Sequence, residues 1–305
     1  HLLAWLDQHG TATPIDLPAA LYCDPRVSPD GRRISVSIIE NASARNVSVL
    51  DPERGTTAKL TFGGMNRTPI WSRNGKLLYF VTFDAHNNQS RIMKAAADGS
   101  GAAEQIFAQS GQIYLEDMTP DGAALVFSNT AVGAGGRNRL IAGWRSVIQK
   151  LSLATPAAEP VLVATGPADV FNAAISPDGR WIAYVSMEAG RQEVFAQAFE
   201  SGGGRQAISS GGGTEPRWAP DGSTIFYTNG DQMMAVPVDK GPALQPGRPR
   251  ALFAGLVPVP IDSAETYAVP GVGHQFLMMR SPTPHEASRE IRLVQHWFTE
   301  LARVR

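Results

Sequence analysis

Acidic side chains recur in this chain at fixed distances from a glycine, and paired carboxylates are what general acid/base catalysis requires. One set, Asp30, Asp121, Asp178 and Asp221, immediately precedes Gly31, Gly122, Gly179 and Gly222. A second set lies upstream. Asp24, Asn172 and Glu215 stand seven residues before such a glycine, Arg26, Asp117 and Arg217 stand five before it, and Glu116 is next to Asp117. The first set has a local explanation. In Ser-Pro-Asp-Gly the proline presets φ, the aspartate bonds back to the backbone and the glycine takes φ > 0, so the turn itself accounts for each acid. The second set has no such explanation and holds the better candidates for ligand contact.

Other chemistries find little support. The six histidines (His1, His9, His86, His274, His285, His296) are scattered, without the short ligand spacing of a transition-metal site. Three or four carboxylates of the second set could offer oxygens to Ca²⁺, but no calcium-loop spacing accompanies them, and no cofactor is expected. No Gly-x-Ser-x-Gly nucleophile elbow occurs. The glycine-rich Ser201–Arg205 and Ser210–Thr214 lack the Gly-Lys-Ser/Thr of a phosphate loop and read as hairpin turns or links. The single cysteine, Cys23, excludes an internal disulfide and reads as a buried free thiol.

The elements that position these residues follow from a repeat. SPDGRRISVSI begins at Ser28, SRNGKLLYFVT at Ser72, TPDGAALVFS at Thr119, SPDGRWIAYVS at Ser176 and APDGSTIFYT at Ala219, with a worn PGVGHQFLMM from Pro270. The turn glycines Gly31, Gly75, Gly122, Gly179, Gly222 and Gly273 stand 44, 47, 57, 43 and 51 residues apart. That period suits a four-stranded propeller blade. Runs such as Trp181–Val185 alternate as strands, and each unit adds a second hairpin, as between Arg45 and Phe62. A lone blade exposes both faces of a small sheet, so blades must stack radially. Trp71 and Trp218, with Val27, Met118, Ile175 and Val269 in the equivalent pre-turn position, are expected to pack between neighbours.

The expected fold is therefore all-β: a six-bladed β-propeller of four-stranded antiparallel blades, with seven blades the less favoured count. One domain covers 1–305, with blades near 18–62, 65–108, 112–164, 169–209 and 212–254, and a last blade made of 262–305 plus 1–17. The N-terminal Leu2–Leu17 supplies a strand-turn-strand, and Arg289–Arg305 a strand and a short amphipathic helix. In such a ring, Asp24, Arg26, Glu116, Asp117, Asn172, Glu215 and Arg217 start the inner strands and face the channel mouth. The loop Thr130–Trp144 lengthens blade three, and its Arg137, Arg139 and Trp144 are candidates for a partner contact.

Composition narrows the partner class. With 27 Lys+Arg against 28 Asp+Glu and no run of like charge, the chain lacks the electrostatic footprint of a nucleic-acid or anionic-lipid binder. No apolar stretch reaches the length of a membrane span, so direct insertion is not expected.

These motifs resemble the TolB-type propeller repeat over nearly the whole chain: LLAWLDQHG at the start, DPRVSPDGRR in blade one, SPDGRWIAYVSMEAGRQEVFAQAF in blade four and the closing VQHWFTEL. They are most similar to the propellers that follow the kinase domain of bacterial membrane-bound serine/threonine protein kinases, with related propellers behind winged-helix regulators. The resemblance implies an extracytoplasmic sensor or interaction module, not itself an enzyme, that binds a protein, a peptide or a small envelope ligand at one ring face. The sequence departs from the pattern at Arg73-Asn74, which replaces Pro-Asp, and in the worn sixth copy. The alternative is a propeller lyase or hydrolase using channel carboxylates, with or without a divalent ion. A lyase of the oligogalacturonate type would place histidines on the inner strands, and none occupies those positions. A third reading is a subunit that only scaffolds a larger assembly.

Overall fold

The computed structural model describes residues 1–130, 146–241, 243–256, 265–271 and 276–280. All regular elements among them are strands. The loop of 131–144 with Arg137, Arg139 and Trp144, the turn glycine Gly273 and the segment Arg289–Arg305 lie outside the described residues, as do His274, His285 and His296.

The strands pair in units of four. Gln112–Met118, Ala124–Thr130, Ser146–Ser152 and Val161–Ala164 form one antiparallel sheet in chain order. Val170–Ile175, Trp181–Ser186, Glu193–Ala198 and Gln206–Ala207 form the next. In the following sheet Thr214–Trp218, Thr224–Asn229 and Gln232–Lys240 are completed by Leu244–Pro246 and Arg250–Ala254, both paired with Gln232–Lys240. The eight strands between Leu21 and Ser110 repeat the pattern twice, and a single parallel pair, Arg45 with Met65, joins the two halves. The remaining sheet combines sequence-distant segments. Leu2–Leu6 pairs with Ala12–Pro14 on one side and with Phe276–Arg280 on the other, and Tyr267–Ala268 completes it. The expected sharing of a sheet by N- and C-terminal segments is thus present.

The turns show why the motif recurs. The Gly31 amide donates to the Ser28 carbonyl at 2.8 Å, the Ser28 amide to the Arg33 carbonyl at 2.8 Å, and the Asp30 carboxylate accepts from the Arg32 amide at 3.1 Å. Gly31 has a φ of 76°, which only glycine adopts freely. In the divergent copy Asn74 does the aspartate's work, accepting from the Lys76 amide at 3.0 Å, and the Gly75 amide still reaches the Ser72 carbonyl at 2.9 Å. The amide oxygen is a sufficient acceptor, so the hairpin survives the substitution. The glycine-rich stretches are structural: Ser201–Arg205 turns a hairpin, and in Ser210–Thr214 the Gly211 and Gly212 amides both donate to Glu193 at 3.0 Å.

The core sits between sheets. Each apolar cluster joins two neighbouring units, and each contains one residue from the position before the turn: Trp218, Val27, Met118, Ile175, Val269 and Trp71 in turn. The two indoles also donate backwards to the preceding unit, Trp71 Nε1 to the Arg26 carbonyl at 3.2 Å and Trp218 Nε1 to the Ala174 carbonyl at 3.0 Å. A buried indole needs such a partner for its polar edge.

Candidate functional site

The inner strands share one departure from regular pairing. Five of them gain an extra residue, a β-bulge, between Cys23 and Arg26, Arg67 and Ile70, Leu115 and Asp117, Phe171 and Ala174, and Thr214 and Arg217. Inside four of these bulges Asp24, Thr68, Asn172 and Glu215 take φ values of 53°, 50°, 50° and 54°. Side chains rarely adopt this left-handed region, least of all a β-branched one such as Thr68. Surrounding contacts must therefore hold them.

Hydrogen bonds to the adjacent inner strand do so. Asp24 Oδ2 accepts from the Thr68 amide at 3.1 Å, and Thr68 Oγ1 accepts from the Leu115 amide at 3.2 Å. Glu116 Oε1 accepts from the Asn172 amide at 3.1 Å, and Asn172 Oδ1 from the Thr214 hydroxyl at 3.4 Å. Glu215 Oε2 accepts from the Thr266 amide at 2.8 Å, and the Glu265 amide returns to Asp24 Oδ1 at 3.2 Å. A circuit of side-chain clasps thus links the inner strands and ends where it began.

Burial gives these clasps unusual electrostatics. It pushes the Glu116 carboxyl up to about 7, the nearby Glu265 adding to the effect while Ser128 and two arginines oppose it. Burial likewise raises Glu215 to about 7 against its hydrogen bonds from Thr266. Desolvation works against the charge of Arg217, but the Glu265 carboxylate, foremost among its acidic neighbours, outweighs it and holds the guanidinium protonated.

Further along the same strands, where they run into the turns, the channel opens into a cavity of about 440 Å³. Its rim is the second position of the turn motif, supplied by Pro29, Arg73, Pro120, Pro177, Pro220 and Gly271. Trp71 and Trp218 lie in its wall. Arg26, Asp117 and Arg217 form the floor, five residues before their glycines. Below them Glu265 Oε1 receives Arg26 Nη2 at 2.6 Å and an ion pair from Arg217, and Arg26 Nη2 also donates to the Glu116 carbonyl at 2.7 Å. Asp117 accepts from the Met118 amide at 2.7 Å and the Ile175 amide at 2.9 Å, with Arg73 3.9 Å away.

The structure therefore divides the seven residues expected together at the channel mouth. Arg26, Asp117 and Arg217 line the cavity; Asp24, Glu116, Asn172 and Glu215 do not, because the bulge turns them sideways onto the neighbouring strand. Glu265, which ties the floor together, was not anticipated. It lies eight residues before the worn Gly273, where the inner strand is reduced to Tyr267–Ala268. Arg73 was visible as a departure from the motif, and its side chain reaches the Thr119 carbonyl at 3.0 Å in the next unit. For Ca²⁺, the clasp carboxylates already hold backbone amides, and among the described residues no group of three His, Cys, Asp or Glu is placed to hold a metal.

No family model and no curated protein matches the sequence. Solved structures match the fold. A TolB structure from Agrobacterium tumefaciens superposes with a TM-score of 0.64 at 16% identity, covering 83% of this chain and 88% of that one. TolB from Acinetobacter baumannii gives 0.59 at 17%, covering 82% and 66%. An oligogalacturonate lyase in complex with manganese gives 0.56 at 13%, covering 81% and 72%. The architecture is that of a TolB-like β-propeller.

Proposed function

We propose that this chain is a six-bladed, non-catalytic binding propeller whose ligand, a protein segment, a peptide or a small envelope molecule, enters the cavity rimmed by the turn motifs. Six blades is the count obtained when the eight-stranded sheet is read as two. The proposed setting is the extracytoplasmic part of a larger bacterial membrane-anchored signalling protein, of which a kinase domain is a candidate partner in the parent. The setting rests on resemblance and on the TolB-like fold; among the described residues no helix is long and apolar enough to cross a membrane.

The observation that carries the reading is the division of labour within the inner strands. Asp24, Glu116, Asn172 and Glu215 are committed to neighbouring strands, whereas Arg26 and Arg217, with Asp117 between both roles, face a concave site of a size suited to a small ligand or a few residues of peptide. Photo-crosslinking tests it. A benzoylphenylalanine at Pro177 on the rim should yield adducts in cells making the parent protein, and one at Thr57 on an outer strand should not. Adducts from Thr57 alone would place the partner elsewhere.

The second reading, a lyase or hydrolase, has one observation in its favour: Glu116 and Glu215 have carboxyls raised to about 7, a range suited to acid/base work. Incubating the chain with oligogalacturonate and manganese and following unsaturated product by absorbance separates the two. Turnover abolished by Glu116→Gln would favour the enzyme.

A further inference from the structure

We infer that the cavity recognises a single carboxylate carried on an apolar body, the carboxylate meeting Arg26 and Arg217 and the body lying between Trp71 and Trp218. This rests on the reading of the cavity as the binding site.

Charge is the first argument. Arg26, Arg73 and Arg217 line the cavity against Asp117 as its one acidic lining residue, while Glu265, Glu116 and Glu215 act on the floor arginines from behind. Asp117 is held by two amides and lies 3.9 Å from Arg73, and its charge also acts on Arg26. Guanidiniums at the foot of apolar walls favour a small planar anion there.

Donors are the second argument. Both floor guanidiniums converge on one oxygen of Glu265, and Arg26 uses only Nη2, for Glu265 and for the Glu116 carbonyl. Arg217 gives Nη1 to the Pro216 carbonyl at 2.9 Å and its Nε is buried without a partner, whereas the Arg26 side chain is the more open of the two at 17% exposed. A guanidinium fork matches the two oxygens of a carboxylate.

The rim is the third. Pro29, Pro120, Pro177 and Pro220 have no N–H, so at these positions the main chain cannot hold an acceptor. Recognition of an anion falls to the arginines, and the prolines and indoles offer apolar contact.

The probes are N-acetyl-Leu-Pro-Phe as free acid, the same peptide as C-terminal amide, 4-phenylbutyrate and inorganic phosphate. Each is titrated into the full chain while the indole N–H resonances of Trp71 and Trp218 are followed. The free acids should shift both indoles, and the peptide acid should bind at least about tenfold more tightly than its amide, the margin of a hydrogen bond to a charged group. Arg26→Met should abolish that preference and Arg26→Lys restore part of it. Arg26 is the safer position because its side chain is 17% exposed, against 6% for Arg217. Asp117→Asn, which removes a negative charge from the lining, should tighten binding of the acids. Binding by the peptide acid alone, or by both acids, upholds the inference and distinguishes a chain terminus from a free small acid. Equal binding of acid and amide with both indoles shifted, or tighter binding of phosphate, overturns the carboxylate and leaves the site standing. If no probe moves either indole, the site falls too.

Discussion

Both ends of the inner strands carry charged or polar residues, acids and an amide at one end and chiefly arginines at the other, and the two ends do different things. At the bulge end Asp24, Glu116, Asn172 and Glu215 are mostly buried, and their oxygens hold the amides and hydroxyls of neighbouring strands. At the turn end Arg26 and Asp117 remain partly exposed around an open cavity. The difference comes from backbone geometry. A bulge directs a side chain along the ring, whereas a regular strand residue two positions later points toward the axis. Charged residues near a propeller axis are therefore not interchangeable evidence of a ligand site.

Substitutions can break this contrast, and the largest effect is expected at the ion pair below the cavity floor. Glu265→Met leaves Arg26 and Arg217 without their shared partner in a buried setting and should cost about 3 to 5 kcal/mol in urea denaturation; Arg217→Met with Glu265→Met, which removes one of the two stranded cations, should recover part of it. Equal losses in single and double variants would show that packing, not charge, dominates there. Next comes Asp24→Ala, which deprives the Thr68 and Glu265 amides and the Ser37 hydroxyl of their acceptor. A loss of roughly 2 to 3 kcal/mol is expected, with Asp24→Asn milder.

The pH dependence sharpens the comparison. Glu116 is raised from 4.5 to about 7 in the folded state, so between those values the unfolded chain gives up its proton while the native one keeps it. Its contribution to stability is full below pH 4.5 and lost as the pH rises through about 7, by an amount on the order of 2 to 3 kcal/mol. Melting temperature against pH should fall more steeply for the parent chain than for Glu116→Gln. The smallest effect is expected at the rim. Pro177→Ala touches neither clasp nor core and should change stability by less than about 0.5 kcal/mol while altering ligand affinity. A large loss of stability would mean that the rim is a structural girdle.

Much of the fold could be read in the sequence because the turn motif encodes its own geometry: proline, aspartate and glycine specify a hairpin wherever they fall, and the pre-turn residue marks each interface between units. The site was only half legible. Counting back from the glycine singles out Asp24, Asn172 and Glu215, yet periodicity carries no sign of a bulge, so it does not tell which way their side chains turn. Glu265 escaped notice because it lies eight residues before Gly273, one position outside the count of seven. Arg73 was conspicuous as a missing proline, but a single substitution does not reveal which carbonyls of the next unit its side chain meets.

The pairing of Leu2–Leu6 with Phe276–Arg280 also bears on how the molecule is made. During translation the first strand emerges long before its partner, so its edge stays open while every intervening hairpin is synthesised. Local hairpins can form early, but this contact bridges most of the polypeptide and belongs to the slow class of events. A ribosome-stalled chain ending before Phe276 should therefore be protease-sensitive at its leading segment, and exposure of that edge makes the half-made protein a natural client for chaperones.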